Sequence, residues 1–370
     1  MDRFRDNIVE IESLYYSGAV KKQQQTIIES WGDRPVLLYG AGTLSTFVME
    51  HLKRHGISIK GFCDTYRSGV HEQTGLPILS PQSLMEQYRD AIIVITSELH
   101  EKSIMETLVK LQYPGEVYSF DDLLCFYTIP YEEFVPHIEG YKWIYEYYTD
   151  EVSKRIVVDS IKTRILGTRM TPSGNPQYFE PEICPLTGNE VFLDGGCFIG
   201  DTAEEFIRQV SGHYQHIFGF EPDEHNLEKA KKILGSYENI DVMLGGLWSQ
   251  TGVFNFESGN FGNSHISREG NSVIHTFSID DFFSGKQQMP TFIKMDIEGA
   301  EQEALDGAAE ILRRYQPKLA VCVYHNLEDM YMLPQRILHH NPNYALMLRH
   351  YSRWYAESVC YGICEAGVSL

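Results

Sequence analysis

Long apolar runs are missing from this chain of 370 residues: its most apolar stretches, such as AIIVI at 91–95, have the length of a buried strand and fall far short of a membrane span. The opening MDRFRDNIVEIE holds no apolar segment of signal-peptide length, so a cytoplasmic location is expected. Basic residues are scarce as well. Thirty-one Lys and Arg stand against 51 Asp and Glu, giving a formal charge of -20, and so negative a body disfavours nucleic acid as a partner. The seven cysteines (63, 125, 184, 197, 322, 360 and 364) are odd in number, scattered and without a CxxC pair, which speaks against a disulfide framework and against structural zinc. No repeat of solenoid length occurs. What is present, 43% hydrophobic against 22% charged residues, suffices for two domains with a core each.

The pattern divides the chain into four parts. Residues 1–30 read as a helical lead-in, with Ile8, Ile11, Leu14 and Tyr15 at helical spacing. Residues 31–125 alternate strand and helix, starting from VLLYGAG, as a small Rossmann-like α/β domain. Residues 126–185 form a helical connector ending in the loop TPSGNPQ, and its Tyr141, Trp143, Tyr145, Tyr147 and Tyr148 read as core packing ahead of sugar stacking. From 186 to 370 a stronger alternation predicts a second doubly wound domain, a parallel sheet closed by an antiparallel last pair.

In LDGGCFIGDTAEEF, residues 193–206, an apolar strand ends at Asp194, turns through Gly195, Gly196 and Gly200, and enters a helix near Thr202. Such glycines let a ligand approach the backbone at a helix start. The flanking Asp194 and Asp201 would repel the pyrophosphate of a dinucleotide and suit a cation, which favours S-adenosylmethionine, a sulfonium with no phosphate. The next strand ends in Glu221, placed to accept hydrogen bonds from both ribose hydroxyls.

A second segment, FIKMDIEGAEQEAL at 292–305, is again a buried strand that ends on a carboxylate, Asp296, followed by Glu298. The strand after it, KLAVCVYH, delivers His325 to the same sheet edge, where open α/β sheets hold ligands. Asp296, Glu298 and His325 can converge there, either with His325 or a carboxylate as general base toward a hydroxyl, or as ligands of a divalent metal that lowers the hydroxyl pKa. His325 as a plain edge histidine is the bland alternative. Glu301 and Glu303 read as helix-start acids.

Residues 190–325 resemble the FkbM family of S-adenosylmethionine-dependent methyltransferases, through FLDGGCFIGDT, FGFEPDEHN, HTFSIDDFF and most specifically FIKMDIEGAE, and the similarity continues through VYHNLEDMYMLP to YALMLRHYSRWYAESVCYGI. The resemblance implies a class I methyltransferase fold and O-methylation of a small-molecule acceptor, a sugar or glycan precursor. By position it implies that Asp194, Gly196, Gly200, Thr202, Glu221 and Asn226 line the cofactor and that Leu247 and Trp248 flank the adenine. Cys197 and Phe198 depart from it, standing where many relatives have a small residue and Asn.

Tyr178 and Phe179, behind the TPSGNPQ loop, are expected in a lid over the cofactor, and His265, Arg349 and His350 are expected to contact substrate. In the first domain Gly40, Gly42 and, at the end of the second strand, Asp64 come close to a dinucleotide fingerprint, with Ser45 and Thr46 at the place of the third glycine. A bound nucleotide or nucleotide sugar and a relict fold used for docking, or for pairing two copies as a homodimer, both fit this pattern. Two rival functions follow. A nicotinamide-dependent sugar oxidoreductase or epimerase would need a YxxxK, which residues 31–125 lack; a non-catalytic nucleotide-binding scaffold would need none.

Overall fold

A computed structural model describes residues 2–257, 265–266 and 272–364, with side chains outside 255–272. It divides into two units, Met1–Glu133 with Asp159–Met170, and Phe134–Val158 with Thr171–Leu370, so the helical stretch at 126–185 is shared between them. Among the described residues no helix is long and apolar enough to cross a membrane.

The first unit begins with helices Arg3–Tyr16 and Ala19–Trp31 and builds a six-stranded sheet from β1 (Val36–Tyr39), β2 (Ile59–Cys63), β3 (Gly69–Val70), β4 (Pro77–Leu79), β5 (Ile92–Ile95) and β6 (Val117–Ser119). The order is β3-β4-β2-β1-β5-β6, with β3 and β4 antiparallel and the other pairs parallel. VLLY and IIVI are buried at every position, as strands covered on both faces must be.

The second unit contains β7 (Val191–Gly195), β8 (His216–Glu221), β9 (Ile240–Leu244), β10 (Gly246–Leu247), β11 (Gly252–Glu257), β12 (His265–Ile266), β13 (Ser272–Phe277), β14 (Phe292–Met295), β15 (Lys318–Cys322), β16 (Tyr344–His350) and β17 (Ser358–Cys364). Its main sheet runs β16-β17-β15-β14-β7-β8-β9, parallel from β15 to β9, with β17 antiparallel to both of its neighbours. A small sheet, β10-β13-β11-β12, stands beside it. The fold is the mixed α/β class with an antiparallel edge pair that the residue pattern predicts.

Ring contacts among Phe179, Phe192, Phe206 and Phe292 anchor the core on one face of β7 and β14. Helix Asp201–Gln209 adds Ala203, Phe206 and Ile207, spaced three and four apart on its buried side. Because β7, β8, β14 and β15 run the same way, the segments leaving their carboxyl ends gather at one edge.

Candidate active site

At that edge β7 runs into a turn that only glycine can make. Gly196 has φ +74, and a β-carbon on it would stand 1.9 Å from the carbonyl oxygen of Asp296. The turn thus lies directly against the loop leaving β14. Gly200, at φ +89, starts the helix at Asp201. Between them Cys197 is buried, its sulfur 3.1 Å from where a β-carbon of Gly219 would be, while Phe198 is exposed at φ 46 and donates its backbone N–H to Glu221 Oε2 at 2.9 Å.

The structure places Asp194 differently from the expectation of a carboxylate open to a cationic ligand. It is wholly buried, and Lys294 Nζ lies 3.0 Å from its Oδ1. Lys294 also donates to the carbonyl oxygens of Gly195 (3.1 Å) and Gly196 (2.8 Å). Burial works against the charge on Lys294, but Asp194 and Asp296 outweigh it and hold the ammonium above the ordinary lysine value. Lys294 was not singled out from the sequence, although a lysine inside the buried strand FIKM is itself a signal, since a buried charge needs a partner.

Glu221 ends β8 and is buried, its Oε1 accepting from Asp223 N at 3.0 Å and its Oε2 from Phe198 N. Burial raises its pKa against the lowering pull of those two N–H groups and of the Asn226 side chain. Asp223 caps the next helix through Asn226 N at 2.8 Å. Thr202 is half-buried, Asp201 exposed. Leu247 is buried with its Cδ1 2.7 Å from the β-carbon position of Gly195, and half-buried Trp248 follows, its N bonded to Phe277 O.

The residues leaving β14 and β15 converge. His325 Nε2 lies 3.3 Å from Asp296 Oδ1 and 3.7 Å from Glu298 Oε2, and its Nδ1 lies 3.2 Å from Glu301 Oε1. Glu301, read from the sequence as a helix-start acid, is buried, and its Oε1 accepts from Ile297 N at 2.8 Å. Asp296 also receives the hydroxyls of Tyr178, 2.7 Å, and Tyr324, 3.2 Å, the latter unforeseen. Burial opposes a charge on the His325 ring, yet Glu301 and Asp296 outweigh it and lift its pKa well above the ordinary value. These carboxylates thus favour the protonated ring, which works against the free base that a general-base role requires.

Of the expected substrate contacts, Tyr178 joins this cluster, with the Lys294 ammonium 5.2 Å from its ring centre. Phe179 does not: it is buried among the core rings. Arg349 is tied to Asp150 and to Leu348 O on β16, an outer strand, and His350 is buried with Nδ1 2.8 Å from Ser358 Oγ, so neither side chain is offered to a ligand. The loop expected to act as a lid is pinned, with Ser173 N bonded to His350 O and Asn175 Nδ2 to Glu180. The side chain of His265 lies outside the described residues. The connector aromatics Tyr141 and Tyr148 are buried as core.

The first unit repeats one device. Gly40 turns at φ +110 against Thr96, and Asp64, at the end of β2, accepts from Ala41 N at 3.0 Å and from Tyr66 N and Arg67 N. Gly42 precedes the helix Thr43–Arg54, and buried Ser45 fills the third-glycine position, its hydroxyl bonded to Gly42 O. Burial would raise the Asp64 pKa, but these N–H groups and Arg67 bring it below the usual value.

Residues 194–342 match the family described as Methyltransferase FkbM domain. Among solved structures, Methyltransferase FkbM from Methylobacillus flagellatus KT is similar over 96% of this chain and 99% of that chain, at 21% identity and a TM-score of 0.63. Fibrillarin from Aeropyrum pernix, solved with natively bound S-adenosyl-L-methionine, covers 48% of this chain and 69% of its own at 12% identity, TM-score 0.33. Precorrin-6y C5,15-methyltransferase from Geobacter metallireducens GS-15 covers 49% and 82% at 11% identity, TM-score 0.33. No curated protein matches the chain in sequence. The strand that ends in a glycine turn, the carboxylate ending the next strand and the KMDIEGAE segment all fall within or at the border of residues 194–342, the stretch of the second unit that is similar to the Methyltransferase FkbM domain.

Proposed function

We propose that this unit transfers a methyl group from S-adenosylmethionine to a hydroxyl oxygen of a small acceptor, a sugar or glycan precursor. The observation that carries the reading is the buried Glu221 beside the glycine turn, one strand from β7 on the side away from the Asp296, Glu298 and His325 cluster. Each Glu221 oxygen accepts one backbone N–H, which leaves acceptor capacity for the two ribose hydroxyls. The lysine at the turn is engaged by Asp194 and two carbonyls, so it is not offered to a phosphate, in keeping with a donor that has none. Leu247 and Trp248 would flank the adenine, and Gly195, Gly196, Gly200, Asp201, Thr202 and Asn226 would border the rest.

When bound, S-adenosylmethionine supplies a methyl carbon on a positively charged sulfur. The chain's own task is to hold the acceptor oxygen in line with that carbon and to manage the hydroxyl proton, for which Asp296, Glu298 and His325 stand on the acceptor side. The acceptor class follows from the family resemblance and from an edge rich in carboxylates, which accept hydrogen bonds from hydroxyl groups.

Calorimetry with S-adenosylmethionine and S-adenosylhomocysteine tests the reading. Glu221→Ala should weaken binding by about 1 to 3 kcal/mol through its lost charge-assisted hydrogen bonds. Unchanged affinity would remove Glu221 from the site. Thermal stabilisation of the full chain by nicotinamide cofactors or nucleotide sugars, with none from S-adenosylmethionine, would replace this function with a nucleotide-binding one centred on Gly40, Gly42 and Asp64.

A further inference from the structure

We propose that His325 Nε2, Asp296 Oδ1 and the Glu298 carboxylate form one face of a divalent-cation site, with Glu301 as the carboxylate that orients the imidazole. Donor atoms of Asp296, Glu301 and His325 all lie within 4.8 Å of one another. The ring nevertheless sorts these acids into two roles. Nδ1 is turned to Glu301 and Nε2 to Asp296 and Glu298, so an ion on Nε2 would be shared with Asp296 and Glu298, while Glu301 Oε1, 3.2 Å from Nδ1, would take up the opposite N–H. That division is how metal-bound histidines are usually built, with a carboxylate on the far nitrogen fixing tautomer and ring orientation.

Three further observations agree. Donor atoms about 2.0 to 2.2 Å from a common ion and at right angles to one another stand roughly 3 Å apart, close to the 3.3 Å between Nε2 and Asp296 Oδ1. Neither ring nitrogen makes a hydrogen bond of good geometry, although the ring is only 5% exposed, and the buried Glu301 Oε2 has no hydrogen-bond partner either. The surroundings are stiff where a site needs it: Ile297 N fixes Glu301, and the Tyr178 hydroxyl fixes Asp296 Oδ2, while Oδ1, which also accepts from the Tyr324 hydroxyl at 3.2 Å, faces the ring with a lone pair to spare. Glu298 is the open ligand, 71% exposed, and lies within reach by rotation of its side chain. Three carboxylates around one imidazole leave a negative charge that a dication would balance. One imidazole with two carboxylates, the remaining positions going to water or an acceptor oxygen, suits Mn2+ or Mg2+.

The inference rests on the methyl-transfer reading only for its purpose, to hold and polarise the acceptor hydroxyl; the binding itself needs neither donor nor acceptor. The test is titration of the chelator-treated full-length protein with Mn2+, followed by electron paramagnetic resonance and calorimetry. One saturable ion per chain is expected, weakened roughly tenfold or more in Asp296→Asn and Glu298→Gln, and about 10- to 100-fold in Glu301→Gln with one ion still bound. Glu298 is exposed, so its variant keeps the test informative if the buried ones fail to fold. Absence of saturable uptake up to about 1 mM Mn2+ would overturn the site, as would wild-type affinity in Glu298→Gln. S-adenosylhomocysteine binding, measured on the same preparations, separates the two readings: binding without Mn2+ uptake defeats the cation site alone, and Mn2+ uptake without cofactor binding defeats the methyl-transfer reading alone.

Discussion

Asp194 and Lys294 lie opposite each other in register on the neighbouring parallel strands β7 and β14, and their charged ends close to 3.0 Å out of reach of solvent. The same ammonium grips the first two carbonyl oxygens of the glycine turn. A single buried cation therefore ties the turn to the strand that carries Asp296, and the geometry of the two halves of the site is set jointly.

Removing one partner of this pair should be severe. Lys294→Met leaves a buried carboxylate unpaired and should cost about 3 to 5 kcal/mol in urea denaturation, whereas the double variant Asp194→Asn with Lys294→Met should recover part of that loss. Losses that simply add would show that the two groups do not act as a pair.

Gly196→Ala should be far worse than Gly212→Ala, although both glycines have positive φ. At Gly212 nothing lies within 4 Å of the new carbon, so only backbone strain of about 1 to 2 kcal/mol is expected. At Gly196 the carbon meets Asp296 O at 1.9 Å, so the turn or the β14 loop must move, and S-adenosylhomocysteine affinity should fall together with the melting temperature. Equal melting temperatures for the two variants would contradict the close approach.

His350 should make the protein acid-sensitive. Burial lowers its pKa from 6.5 to about 4, so the folded chain keeps the ring neutral where the unfolded chain binds a proton. The stability it contributes is complete above pH 6.5 and drains away as pH falls toward 4, roughly 3 kcal/mol in all. His350→Gln should narrow the gap between urea midpoints measured at pH 7.5 and pH 4.5; an unaltered gap would mean that the acid sensitivity resides in the carboxylates.

Much of this was legible in the chain because it is local. The strand, glycine turn and helix of 193–206 and the carboxylate of Glu221 follow from runs and spacings within a few residues. What was not legible depends on sheet register or on packing between distant segments. Lys294 and Asp194 meet only because β14 lies beside β7 in that alignment, a hundred residues apart. Glu301 carries the spacing of an exposed helix-start acid and is buried because His325 comes up beside it. Arg349 and His350 end a strand as polar residues often do near a site, but β16 is an outer strand and both side chains are satisfied within the protein. Asp280, in the family-like segment HTFSIDDFF, accepts Glu310 N and Ile311 N, so it braces the helix Ala309–Arg314.

The seating of Cys197 against Gly219 bears on reactivity. A sulfonium methyl donor is an electrophile, and a thiolate beside it would compete with the acceptor for the methyl group. Burial, reinforced by the negative Asp194 and Glu221, raises the Cys197 thiol far above its ordinary pKa and keeps it protonated. The glycine turn thus holds a sulfur that fills space against β8 as a neutral thiol, and with S-adenosylmethionine bound at the turn, as proposed above, it would not compete for the methyl group.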